Sequence, residues 1–131
     1  MRCRGIRGAT TVHENTPEAI LEATSELLAE LMRANGFQAG DVASAFFTTT
    51  RDLNAEFPAV AANWMGWTDV ALLCGHEMDV PGSLAMCLRV LLHVNTDKQP
   101  RELQHIYLRG ATVLRPDRSR NPEERTETKS P

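Results

Sequence analysis

Hydrophobic positions along this chain recur with two periods, and the change from one to the other marks out the elements. The most regular stretch follows Asn15-Thr16-Pro17-Glu18, where a capping side chain, a proline at the first helical position and an acid in the first turn announce a helix. Ile20, Leu21, Thr24, Leu27, Leu28 and Leu31 then share one face. Glu18, Glu22, Glu26, Glu30 and Arg33 point elsewhere, and Asn35-Gly36 supplies the stop. Residues 2–12 lack this period and predict a first strand, with Gly5 and Gly8 bracketing Arg7. Asp41 to Thr50, rich in Val, Phe and Thr, predicts a second strand. A shorter helix is predicted from Pro58 to Met65, with Gly66 at its end and Trp64 packing or capping a cavity. Trp67 to Cys74 and Leu84 to Asn95 predict two more strands around a Pro81-Gly82 turn. His105 to Leu108 and Thr112 to Leu114 predict a closing hairpin or paired strands.

This order predicts an α+β domain: a mixed β-sheet with one long and one short helix on one face. From Asp117 the composition changes to polar residues with proline as the sole apolar anchor, so a folded domain is expected over 1–117 and a disordered tail over 118–131.

Composition narrows the function classes. At 131 residues the chain builds one core, and 42% apolar with 24% charged residues is ordinary for a soluble globular protein. No run approaches the roughly 20 apolar residues that span a bilayer, so no membrane role is expected. The start, Met1-Arg2-Cys3-Arg4-Gly5, lacks the apolar stretch of a signal peptide, which points to the cytoplasm. A net charge of −3 with scattered arginines argues against nucleic acid. Cys3, Cys74 and Cys87 form no CxxC pair, and Cys3 and Cys87 are expected as small buried hydrophobes. His13, His76, His93 and His105 have no metal-ligand spacing, so no metal or cofactor is expected.

The chemistry lies in four charged residues. Arg7 and Arg89 sit inside apolar, strand-like stretches, where a charge is costly unless it is paired or faces a polar cavity. With Glu77 and Arg115 they suggest a site for a small dianion. Plainer structural roles stand beside the functional ones: a structural ion pair for any single buried arginine, as between Arg89 and Glu77, and, for other residues of note, Tyr107 as a core ring, Cys74 and Phe57 as packing, and Arg4 as structural.

Taken together and in order, the motifs resemble the monofunctional, trimeric chorismate mutases of the AroH class. They are Arg4-Gly5-Ile6-Arg7-Gly8-Ala9-Thr10-Thr11-Val12, Asp52-Leu53 with Phe57-Pro58-Ala59, Cys74 before Glu77-Met78-Asp79-Val80, Arg89-Val90, Asn95-Thr96-Asp97, and His105-Ile106-Tyr107-Leu108 leading to Leu114-Arg115-Pro116-Asp117. The resemblance implies an isomerase that converts chorismate to prephenate by a [3,3]-sigmatropic rearrangement, on the way to phenylalanine and tyrosine. It also implies a homotrimeric pseudo-barrel with active sites between adjacent subunits.

By the same resemblance, Arg89 meets the ether oxygen and a carboxylate, and Arg7 with Tyr107 binds the enolpyruvyl carboxylate. Glu77 and Cys74 meet the ring hydroxyl, Phe57 and Leu114 wall the site with Ala59 nearby, and Arg115 begins a covering segment. The chain departs from the family in two places. Val60-Ala61-Ala62-Asn63-Trp64 stands where charged residues often occur, and Leu73 stands where some members carry a polar side chain. Two other classes fit parts of the pattern: a noncatalytic trimeric small-carboxylate-binding module, and a small trimeric imine or enamine hydrolase with Glu77 as base.

Overall fold

The computed structural model describes residues 1–115; the tail expected beyond residue 117 lies outside the described residues. The long helix, α1, spans Pro17–Asn35. Thr16 Oγ1 accepts the Ala19 N–H at 3.1 Å, and Gly36, at φ +68°, turns the chain away while donating its N–H to Met32 O at 2.8 Å. All six residues assigned to the apolar face are buried. No helix among the described residues is long and apolar enough to cross a membrane.

Strands β1 (Arg2–Thr11), β2 (Val42–Thr49), β3 (Ala71–His76), β4 (Cys87–Thr96) and β5 (Ile106–Tyr107) form one sheet in the order β3-β2-β4-β1-β5. The central β4 is antiparallel to β1 and β2, whereas β1–β5 and β2–β3 are parallel pairs. The short helix α2 (Ala59–Trp64) and α1 both cover one face of this mixed sheet, as the pattern of elements predicts. Under them Ile6, Leu27, Leu28, Leu31, Phe47, Leu88 and Leu92 form the core. Gly8 is required there. A Cβ on it would lie 3.0 Å from Leu31 Cδ1 and 3.1 Å from Leu27 Cδ1, so α1 packs directly on the β1 backbone.

Several expectations are corrected. The third strand starts at Ala71, not Trp67, because Trp67 closes α2 by donating its N–H to Ala62 O and buries its ring edge-on to Phe37, centroids 6.5 Å apart. The fourth starts at Cys87, after a Val80–Ser83 turn and Met86 at φ +50°. Thr112 to Leu114 is no strand. It belongs to a 3-10 helix, Arg109–Leu114, which turns off at Arg109 (φ +52°), and β5 pairs in parallel with β1 instead of forming a hairpin. The Arg109 guanidinium and Gly110 N–H tie this segment to Thr11 and Glu26. Cys3 is exposed on the helix-free face, while Cys87 is buried as expected. Trp64 stays 73% exposed and edges a cavity with Pro17 and Leu21.

Candidate active site

Strand pairing lines up residues from all five strands across the helix-free face. Gly75 pairs Thr48, Thr48 pairs Arg89, Arg89 pairs Ala9, and Ala9 pairs Tyr107. Two residues away on the same face is a second row, Leu73-Phe46-Leu91-Arg7. A cleft of about 320 Å³ opens on these rows, lined by Arg7, Ala9, Phe46, Thr48, Glu77, Arg89, Leu91 and Tyr107 among others. Residues 100 positions apart in the sequence, Arg7 and Tyr107, are neighbours here because β5 returns alongside β1.

Within the cleft Arg89 Nε lies 3.2 Å from Glu77 Oε2, and the Thr48 hydroxyl reaches the same oxygen at 3.4 Å. The Glu77 N–H donates to Thr49 O at 2.8 Å, which carries the β2–β3 ladder one residue past His76 and fixes the carboxylate's approach. The side chain of Arg89 is 41% exposed and Arg7 is exposed, so neither charge is buried in the apolar core. The strand alternation resolves the cost anticipated for these charges: their apolar neighbours point into the core, and the guanidinium groups do not. Among the described residues no carboxylate pairs with Arg7. Its backbone N–H donates to His105 Nδ1 at 3.0 Å. Below Arg89, Cys87 is buried. Burial pushes its thiol up, against the pull of the adjacent guanidinium.

Cys74 and Phe57 are not in this cleft. Cys74 pairs Phe47 and faces the helix side, where a second cleft of about 340 Å³ is lined by Thr49, Glu56, Phe57, Pro58, Cys74 and His76 among others. The Ala59 backbone N–H bonds the Cys74 sulfur, joining the start of α2 to β3. Burial nevertheless raises the Cys74 thiol, more than this hydrogen bond lowers it, so it stays protonated at neutral pH and serves as a weak donor.

Three other candidates lie apart. Leu73 stands 61% exposed in the apolar band with Phe46 and Leu91, Leu114 lies on the 3-10 helix outside both clefts, and Arg115 lines a larger cavity of about 740 Å³ that shares Tyr107 with the first cleft. The sequence reading missed Thr48 and Ala9. Period-two alternation through Phe46-Phe47-Thr48-Thr49 assigns Thr48 to the helix-free face, but pairing it with Arg89 needs the register.

The arrangement offers two cations, one carboxylate and one phenol around a small cleft, with apolar walls and a protonated thiol in a second. Such a set can hold a compact dianion and stabilise charge as it develops. Comparison with known proteins places the chain in a family. The chorismate mutase type I family profile matches residues 3–118. A chorismate mutase AroH from Thermus thermophilus is 51% identical over 115 residues, 87% of this chain and 94% of that protein. The AroH enzyme of Bacillus subtilis strain 168 is 44% identical over 120 residues, 91% of this chain and 94% of its own length. A solved chorismate mutase from Clostridium thermocellum superposes with a TM-score of 0.84 at 53% identity, covering 85% of this chain and 99% of that one.

Proposed function

The chain belongs to the type I chorismate mutase family, and from that premise we propose how its residues convert chorismate to prephenate. The reaction is an isomerisation within one molecule and needs no covalent intermediate or proton transfer. The substrate must be held in its compact reactive conformer while negative charge grows on the ether oxygen. A millionfold acceleration then requires roughly 8 kcal/mol of stabilisation given to the transition state and not to the ground state.

One observation carries the assignment of roles: Arg89, on the central strand, lies 3.2 Å from Glu77 and opens into the same cleft as Arg7 and Tyr107. Arg89 directs its guanidinium at the ether oxygen and a neighbouring carboxylate, where charge is larger in the transition state. Glu77 holds that guanidinium in place and accepts from the ring hydroxyl. Arg7 and the Tyr107 hydroxyl bind the side-chain carboxylate, a cationic fork beside a neutral donor. Cys74 donates to the ring hydroxyl, and Phe57, with Ala59 behind it, walls the opposite side. Leu73, Leu114 and Arg115 complete the rim.

These roles require more than one chain. Arg7, Arg89, Glu77 and Tyr107 line one face of the sheet, Phe57 and Cys74 the other, so a single chain does not offer them as one enclosed cavity. A homotrimer with each site between adjacent subunits brings one chain's first cleft to the next chain's second. Leu73, Phe46 and Leu91 supply an apolar band for such packing. A cytoplasmic location, without nucleic-acid or membrane partners, is part of the same proposal. The names of the relatives favour neither a noncatalytic carboxylate binder nor a hydrolase.

The test is to follow chorismate loss, with prephenate identified as product, for the unaltered protein and for an equally folded Arg89→Ala variant. Turnover that falls at least about a hundredfold in the variant supports the reading. Undiminished turnover in the variant removes Arg89 from the mechanism, and none in the unaltered protein removes the function.

A further inference from the structure

His76 and Glu77 are consecutive, and strand alternation sends them to opposite sides: Glu77 to the cleft of Arg89, His76 to the cleft of Phe57 and Cys74. Helix α2, beside that second cleft, reads Ala-Val-Ala-Ala-Asn-Trp and carries no charge. Among the residues lining the cleft, His76 is the one side chain able to become a cation; the other titratable groups there are Glu56 and Cys74.

The hydrogen bonds around His76 assign its tautomer. Its Nδ1 lies 3.2 Å from both Thr49 Oγ1 and the Thr49 carbonyl oxygen. The Thr49 hydroxyl spends its own hydrogen on Leu53 O at 3.1 Å, so both neighbours of Nδ1 present lone pairs. Nδ1 must therefore be the protonated nitrogen. Nε2 is left as the variable atom: a lone pair when the ring is neutral, a charged N–H donor when it is protonated. The strand holds the ring while its other nitrogen remains open to a ligand.

We propose that His76 is a substrate-capturing residue of the second cleft, whose protonated Nε2–H donates to the same substrate carboxylate that Arg89 of the adjacent chain meets across the proposed subunit junction. The proposal rests on the mutase reading and adds to it a pH-dependent step in binding, not in chemistry. Cys74 does not contribute a competing titration near neutrality, because burial keeps its thiol protonated there. Glu56, whose carboxylate accepts the Phe57 N–H at 2.9 Å, has the wrong charge to hold an anion.

The experiment measures kcat and KM for chorismate from about pH 6 to about pH 8.5, the range that spans histidine titration, in the unaltered enzyme, His76→Gln and His76→Lys. The unaltered enzyme's KM should rise about tenfold with pH, the size of one charge-assisted contact at a partly solvated site, with kcat little changed. His76→Gln should show the high KM throughout, and His76→Lys, a fixed cation, the low KM throughout. A structural histidine would not produce that rescue. A second readout needs no variant: saturating prephenate should raise the pH midpoint of the His76 ring resonance in proton NMR. A His76→Gln enzyme with the unaltered KM and pH dependence, or a midpoint indifferent to prephenate, overturns the proposal and leaves the mutase reading standing. No turnover by the unaltered enzyme overturns both.

Discussion

At Arg89 the guanidinium meets Glu77 through Nε, so terminal N–H donors are left over for a ligand in the same plane. A lysine there keeps the charge but has no fork to share between an ion pair and a substrate oxygen. Arg89→Lys should accordingly cost about a hundredfold in kcat, near the loss for a missing preorganised donor. A steady-state assay checks this, and near-normal kcat would show that charge alone suffices. The cysteines report on the fold. Burial holds the Cys74 and Cys87 thiols above their ordinary value, whereas the unfolded chain ionises them earlier. Their contribution to stability is complete below the ordinary thiol range and is lost as pH rises from there through the raised folded-state values. The urea midpoint should drop on going from neutral to alkaline pH, and a Cys74→Ala/Cys87→Ala protein should drop less. An equal drop in both would assign the effect to other groups.

Among the elements, α1 was legible almost residue by residue, because its signals are local: the Thr16 cap, Pro17, six apolar positions at helical spacing and Gly36. Removing the cap hydroxyl with Thr16→Ala should cost about 1 kcal/mol in chemical denaturation. The contact between α1 and β1 depends on Gly8, where a methyl group meets two leucines. Gly8→Ala should destabilise the protein by about 1–3 kcal/mol, the usual cost of overpacking. A neutral result would mean that Leu27 and Leu31 can repack. The strands were less legible at their ends. Trp67 is a residue that favours strands and Leu84 to Met86 runs apolar into the strand that follows, but one closes a helix and the other follows a turn. Thr112 to Leu114 has β-branched residues and still forms a 3-10 helix, since the bonds from Arg109 and Gly110 to Thr11 and Glu26 decide its course.

For the whole molecule, the helix-free face is the decisive surface. Phe46 and Leu91 are partly exposed and Leu73 largely so, in one row across three strands. A charge placed there should oppose the proposed packing between subunits at a cost that an isolated chain does not bear. Phe46→Glu should sediment as a monomer and lose turnover while its secondary structure survives; a trimer retaining activity would relocate the interface. The chain's own sequence determined the fold class, the long helix and which side chains are candidates for the site, because periodicity, capping and motif order are properties of neighbours along the chain. Tertiary structure decided which of those groups meet. Arg7, Thr48, Glu77, Arg89 and Tyr107 converge through the register of strands distant in sequence, while Cys74 and Phe57 are carried to the other face of the same sheet. The physical reason is the two-residue period of a strand: it sets the side on which each residue lies, but its partners follow only from pairing across the sheet.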